Sequence, residues 1–347
     1  MTNAQVRAFS RALRAWYRRW KRPLPWRATR DPYAIWISEV MLQQTTVAAA
    51  EPRWHRFLAR FPDVASLAAA DESEVLAEWS GLGYYARGRN LHRAARVLAA
   101  RGGGLPRSVA ALRALPGVGP YTAAAVASIA FGVRAAAVDG NAARVLARVL
   151  AARDAPGRVA NLAERLVPAR SAGEHTQALM ELGAVLCAPR APRCESCPVR
   201  RFCRAARAGH PERFPSPRPR HASQRLRLAA GVARRRGGLV VVEDRELVRG
   251  HVVVPLARVA SGEEAAAALR GAWRDLAGRE PSRVERVGVV RHTVLSRRYE
   301  VEVFRVVEGA GRARGVARVI ALTDLSVLPH GGLLRKVLVL AKVSTAP

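Results

Sequence analysis

Leu115-Pro-Gly-Val-Gly119 runs directly into Pro120-Tyr-Thr-Ala123, with helix-type sequence on both sides. This pattern predicts a helix–hairpin–helix. Glycines in the turn let the backbone come close to a ligand where a Cβ would block it. The amides that open the second helix lack an intrahelical acceptor and lie at the positive end of its dipole. Together these features bind a phosphate. Gly117, Gly119, Tyr121 and Thr122 are therefore the candidate phosphate contacts. A lone Gly-x-Gly would suit any turn between helices; the whole segment is more specific.

Downstream stands Val138-Asp139-Gly-Asn141, where Asp139 is placed to cap a helix beginning near Asn141. Further on are the chain's only cysteines, Cys187, Cys194, Cys197 and Cys203, spaced C-x6-C-x2-C-x5-C. Two disulfides would need an oxidising compartment. The segment MTNAQVRAFSRALRAWYRRW has no apolar core or cleavage site of a secretory signal. Four thiolates point to zinc or an iron–sulfur cluster. Zinc favours paired short knuckles, and only Cys194 and Cys197 form one. Wide gaps on either side favour a cubane cluster, with Pro192 and Pro198 shaping a tight loop around it.

The chain has 347 residues, enough for two domains, and half of them are hydrophobic. No apolar run is long enough to span a membrane. Lys and Arg total 58 against 27 Asp and Glu, giving a net charge of +31. Lysine stands only at positions 21, 336 and 342, so the excess is arginine. Such a field draws polyanions and gives salt-dependent affinity for phosphates. Both halves contribute, with net +21 over residues 1–225 and +10 over 226–347.

Residues 1–209 read as helical, with apolar positions at helical spacing in Val6–Trp20 and Ala34–Ala50. Loops are marked at Arg22–Pro25, Phe61–Asp63, Gly81–Gly83, Gly102–Pro106 and Pro116–Gly119. Asp71 and Ser108 are expected helix caps. The four prolines of Pro211–Arg225 exclude a helix, so residues 210–225 are expected to be a linker. Beyond it lie β-type runs at Leu226–Ala233, Gly238–Val242, His251–Val254, Val284–Val290 and Tyr299–Val307, with one helical stretch at Glu263–Leu276. That is an α+β pattern.

The order LPGVG, Asp139, four-cysteine loop resembles the helix–hairpin–helix DNA glycosylases related to endonuclease III. Five further segments resemble the adenine DNA glycosylases of the MutY family: Leu24-Pro-Trp-Arg27, Arg30-Asp-Pro-Tyr33, Trp36-Ile-Ser-Glu-Val-Met-Leu-Gln-Gln-Thr45, Gly81-Leu-Gly-Tyr-Tyr-Ala-Arg87 and Gln177-Ala-Leu-Met-Glu-Leu-Gly183. The likeness covers roughly residues 20–205. It implies an all-helical glycosylase region over 1–209, with a six-helix barrel at about 30–140 and an iron–sulfur subdomain from 1–29 plus 141–209. It implies a [4Fe-4S] cluster on the four cysteines and a Nudix-like α+β domain over 226–347. The implied partner is duplex DNA carrying adenine opposite 8-oxoguanine or guanine. The protein is expected to act as a monomer in the cytoplasm, at the nucleoid, and not at a membrane.

Adenine is a poor leaving group as an anion, so excision needs an acid to protonate a ring nitrogen. An oxocarbenium-like species then forms, which a second carboxylate stabilises. Glu39, in the apolar run WISEVMLQ, suits the acid because burial raises its pKa. Asp139, at a helix N-terminus, is expected to stay ionised because the dipole lowers its pKa. Bifunctional relatives carry at position 121 the lysine that cleaves the strand through a Schiff base. This chain has Tyr121, and no lysine lies between residues 21 and 336, so strong lyase activity is not expected. By resemblance, Tyr121 and Asn141 assist the carboxylates, and Trp26, Arg27 and Gln177 surround the flipped adenine. Gln44 and Tyr84 match residues inserted into the duplex, and Thr45 counts among the substrate contacts. A target base must leave the stack to reach Glu39.

In the family, the second domain reads 8-oxoguanine. Gly250–Pro255, Arg291-His-Thr293 and Leu333–Val337 match its anchors. Glu263–Glu280 lacks the acidic array of a nucleotide hydrolase, so none is expected. Where the family has Phe-Ser-His, this chain has Val294-Leu-Ser-Arg-Arg298. Leu295 is the expected wedge, Ser296 keeps the serine role and Arg297 replaces the histidine. Arginine can donate to a guanine edge, but it is longer and always charged. Two other functions fit parts of the pattern: a mismatch thymine glycosylase on the same scaffold, and a non-catalytic iron–sulfur DNA-binding module. The paired Glu39 and Asp139 argue against the second.

Overall fold

Aspartate and proline set the helix on which the site is built. Asp31 accepts hydrogen bonds from the Tyr33 and Ala34 amides, and Pro32 supplies a first turn that needs no amide donor. The computed structural model describes residues 1–216, 223–244, 251–294, 297–308, 317–326, 328 and 331–343. They form α1 (Asn3–Trp20), α2 (Pro32–Met41), α3 (Val47–Arg60), α4 (Val64–Ala69), α5 (Glu72–Glu78), α6 (Ala86–Ala99), α7 (Val109–Arg113), α8 (Pro120–Phe131), α9 (Gly140–Leu150), α10 (Pro156–Leu166), α11 (Ala172–Val185), α12 (Arg204–Arg207), α13 (Ala265–Ala277) and α14 (Gly332–Leu340). Strands are β1 (Gln224–Val232), β2 (Arg234–Arg235), β3 (Gly238–Glu243), β4 (Val252–Val253), β5 (Leu256–Val259), β6 (Arg283–Val294), β7 (Arg297–Val307) and β8 (Arg318–Ile320).

The chain divides into two compact units, residues 1–69 with 90–219, and 70–89 with 220–347. Sequence texture puts residues 70–89 in the helical region, whereas by compactness they go with the second unit. Within that unit the Tyr85 ring meets His251 edge-on, with centroids 3.7 Å apart.

In the first unit, α2 is buried on all sides and packs against α3 and α8. Helix α11 lies against α1, α8 and α9. Phe9 and Leu13 of α1 join Leu146, Leu162 and Leu182 in one apolar core. Gly173 is required where α11 meets α8, because a Cβ there would stand 2.5 Å from the Ser128 carbonyl oxygen. Ser108 caps α7 as expected, accepting from the Ala111 amide. The run Ala34–Ala50 is not one helix: α2 stops at Met41 and α3 starts at Val47. Gln44 turns left-handed between them (φ 56°), and Thr46 caps α3 through the Ala49 amide. Periodicity carried across this gap by chance; backbone geometry did not.

The second unit is α+β. Its main sheet runs β5-β1-β7-β6, with β1 parallel to β7 and the other pairs antiparallel. Alternation decides which residues face each side. Leu228, Val301 and Val303 pack with Leu334 and Val337 of α14, while Ala229, Phe304 and Val306 pack with Leu269 and Trp273 of α13. Strand β3 pairs with β2, β4 and β8 in a second small sheet. The short strands β2 and β8 have no clear alternation of their own and owe their place to their neighbours, whereas β5 alternates, with Ala257 and Val259 buried and Arg258 exposed.

Candidate active site

A cleft of about 680 Å³ opens in the first unit, lined among others by Trp26, Arg27, Glu39, Gln44, Thr45, Tyr121, Asp139, Asn141 and Gln177. Residues scattered from 26 to 177 in sequence meet there because α2, α8, the N-terminus of α9 and α11 converge on it.

Glu39 sits near the end of α2 and is only 7% exposed. Tyr121, in the first turn of α8, donates its hydroxyl to Glu39 Oε2 at 2.8 Å. Burial pushes the Glu39 carboxyl up to about 7; Asp139 adds to the rise, while the Tyr121 hydrogen bond and the Arg27 charge oppose it. Burial also raises the Tyr121 hydroxyl well above the usual phenol range. At neutral pH, Glu39 thus retains a substantial protonated fraction inside a cleft.

Asp139 caps α9, accepting from the Ala142 amide at 2.7 Å, and Asn141 donates to its other oxygen at 3.1 Å. These bonds lower its pKa, as expected of a cap. Burial outweighs them, so the net shift is upward and corrects the expectation of a lowered value. Arg144 donates to Asn141 Oδ1, Gly183 O and Cys187 O. Gly183 is needed here, since a Cβ would lie 2.7 Å from that of Asn141.

The hairpin glycines differ in role. Gly117 is left-handed (φ 74°), and a Cβ on it would strike the Asn90 side chain at 2.5 Å. Gly119 has a common φ of −81° and open space around it. The fold thus demands the first glycine, and only the second leaves an uncovered approach to the α8 amides. The Thr122 side chain is buried and accepts a hydrogen bond from Gln43 Nε2, so only its amide can meet a phosphate. The same holds for Tyr121, whose hydroxyl belongs to Glu39.

Trp26 is buried with its ring edge-on to Trp54. Gln177 accepts from the Tyr17 hydroxyl at 3.0 Å. Tyr84 lies in the second unit, left-handed (φ 48°) and 41% exposed, so it is not a core tyrosine. Arg297 is exposed at the start of β7; Leu295 and Ser296 lie outside the described residues. Glu181, which also lines the cleft, was not singled out from sequence, although it stands one helical turn from Gln177 on α11. That i, i+4 spacing on one face was the available signal.

None of the four cysteines forms a disulfide, and they line one small cavity together with Arg148 and Arg200. Among the described residues no group of three or more His, Cys, Asp or Glu converges closely enough for a single metal ion. The four thiols surround one shared space. The buried Arg148 of α9 holds the loop, donating to Cys187 O and Sγ, Ala188 O, Pro189 O and Phe214 O.

The first unit thus holds a carboxylic acid poised near neutrality, a capping carboxylate and a hairpin open at Gly119. Residues 37–169 match the HhH-GPD superfamily of base excision DNA repair proteins. The chain is 42% identical over 205 residues to adenine DNA glycosylase of Mycolicibacterium smegmatis, a match covering 57% of this chain and 70% of that one. It belongs to the adenine DNA glycosylase family. Human adenine DNA glycosylase is 46% identical over 218 residues, which cover 58% of this chain but only 40% of the longer human protein. The structure of a thermostable thymine-DNA glycosylase matches with TM-score 0.56 and 33% identity, covering 59% of this chain and 98% of that one. Among the described residues no helix is long and apolar enough to cross a membrane.

Proposed function

We propose that this member of the adenine DNA glycosylase family excises adenine mispaired with 8-oxoguanine or guanine, as a monofunctional, monomeric enzyme on duplex DNA. The observation that carries the proposal is Glu39 held near neutrality, hydrogen-bonded by Tyr121, in a cleft that also contains Asp139. The adenine flips into the cleft, and Glu39 protonates a ring nitrogen. The glycosidic electron pair leaves with the protonated base. Asp139 stabilises the cationic sugar, and water adds at C1′, its proton returning to the Glu39 carboxylate, to leave an abasic site. Ionised Asp139 also favours the proton on Glu39, separating the roles of the two carboxylates. Tyr121 offers no amine for a Schiff base, so the strand stays intact.

The four cysteines would hold a [4Fe-4S] cluster, which supplies a structural cross-link within the loop. Brown colour with matching iron and sulfide content would separate it from zinc. The α+β unit is the proposed Nudix-like reader of the base opposite adenine, with exposed Arg297 in place of the family histidine.

The likeness to a thymine-DNA glycosylase over nearly all of that chain favours a second activity, thymine opposite guanine. Duplexes carrying adenine opposite 8-oxoguanine, adenine opposite guanine and thymine opposite guanine, each treated with alkali after incubation, decide between them. Alkali-dependent breaks at adenine are expected. Breaks only at thymine would reverse the assignment.

A further inference from the structure

Glu181 is a charged group of the cleft to which no step above gives work. Its side chain is fully buried. Oε1 accepts from the Arg22 amide at 3.1 Å and from Arg22 Nε at 2.8 Å. Oε2 accepts from Arg22 Nη2 and Arg27 Nη2, each at 2.7 Å. A carboxylate has about four lone-pair directions, and all are taken. Glu181 therefore cannot itself touch a base in the cleft. Arg27 is held on two more sides: it donates to the Arg22 carbonyl at 3.1 Å, and its guanidinium lies 5.4 Å from the Tyr17 ring centre. Both arginines line the cleft.

We infer that Glu181 is a positioning residue, whose carboxylate clamps Arg22 and Arg27 so that Arg27 stands at a fixed place beside Glu39. The inference rests on the adenine-excision reading for its kinetic consequence, but not for its electrostatic one. A planar, bidentate guanidinium–carboxylate pair fixes direction as well as distance. Two partners and burial set opposite tendencies on Glu181. Burial alone would raise its carboxyl, but Arg22 and Arg27 pull it down to about 2, so the clamp is charged at every working pH. Glu39 is faced by Tyr121 from α8, Asp139 from the α9 cap and Arg27 from the turn before α2; of these, Tyr121 and Arg27 lower its pKa and Asp139 raises it. Releasing Arg27 removes one of the two restraints.

The test compares the full chain with Glu181→Gln, Glu181→Asp, Arg27→Met and the Glu181→Gln/Arg27→Met double variant. The Glu39 carboxyl is titrated by carbon-13 NMR, assigned with Glu39→Gln, and single-turnover adenine excision is followed against pH. Glu181→Gln is expected to move the Glu39 titration upward and to slow excision by about 100-fold, the effect of roughly an ångström of misplacement, with duplex affinity kept. Arg27→Met should move the titration the same way, and the double variant should fall no further. Glu181→Asp, charged but shorter, should fall between. A merely structural salt bridge would lower the melting temperature and leave the Glu39 titration in place. An unmoved titration in Glu181→Gln, or additive effects in the double variant, overturns the proposal. If Glu181→Gln does not fold, a folded Glu181→Asp protein with wild-type titration and rate also overturns it. If the wild type excises no adenine, the functional reading fails, and the NMR titration still decides the clamp.

Discussion

The Tyr121 hydroxyl and Glu39 Oε2 are 2.8 Å apart, with tyrosine the donor. The bond stabilises the ionised carboxylate and so restrains a pKa that burial drives upward. Tyr121→Phe should therefore let the Glu39 pKa rise further and move the alkaline limb of the excision profile above pH 7. The rate at its optimum should fall by about tenfold from lost orientation. Duplex binding should persist, because the amide of residue 121 is unchanged. A rate profile against pH checks both.

Glu39 also links function to stability. Its folded pKa of about 7 lies above the unfolded value of 4.5. Between these values the folded state binds more protons, so stability falls as pH rises through the window. Glu39→Gln should remove that cost, stabilising the fold at pH 8 by on the order of 1–3 kcal/mol while excision is lost. Chemical denaturation at pH 5 and pH 8 measures the difference, which should shrink at the lower pH.

Gly117 and Gly119 should separate fold from binding. Gly117→Ala meets both a left-handed backbone and the Asn90 side chain, and is expected to cost about 1–3 kcal/mol. Gly119→Ala has room and an ordinary φ, so its stability should be nearly unchanged. If the hairpin amides hold a phosphate, Gly119→Ala weakens duplex binding across all sequences, read by titration at two salt concentrations.

Arg148→Met should strip the cysteine loop of its anchor. Five part-buried acceptors lose this donor, and only Cys187 O keeps another, from Arg144; each group left unsatisfied costs about 1–3 kcal/mol. Purified protein should be colourless or lose colour on mild heating, with iron content as the measure. Because α9 begins at the Asp139 cap, excision should fall along with it.

Local chemistry wrote much of this protein into its sequence. Asp139 and Ser108 cap where short polar side chains must, LPGVG turns where glycine is required, and the β-type runs read at 226–233 and 238–242 fall in β1 and β3. Glu39 in an apolar helix announced its own raised pKa. What needed the tertiary structure were effects that depend on neighbours distant in the chain. Periodicity continued through residues 42–46, although the backbone leaves the helix there. The sign of the Asp139 shift was set by burial, which the packing around the cleft decides, and not by its cap. Thr122 looked available to a phosphate until Gln43 was found on its hydroxyl. Glu181 and its two arginines are 154 and 159 residues apart in sequence. Desolvation and ion pairing act through space, and only the folded chain specifies which groups share it.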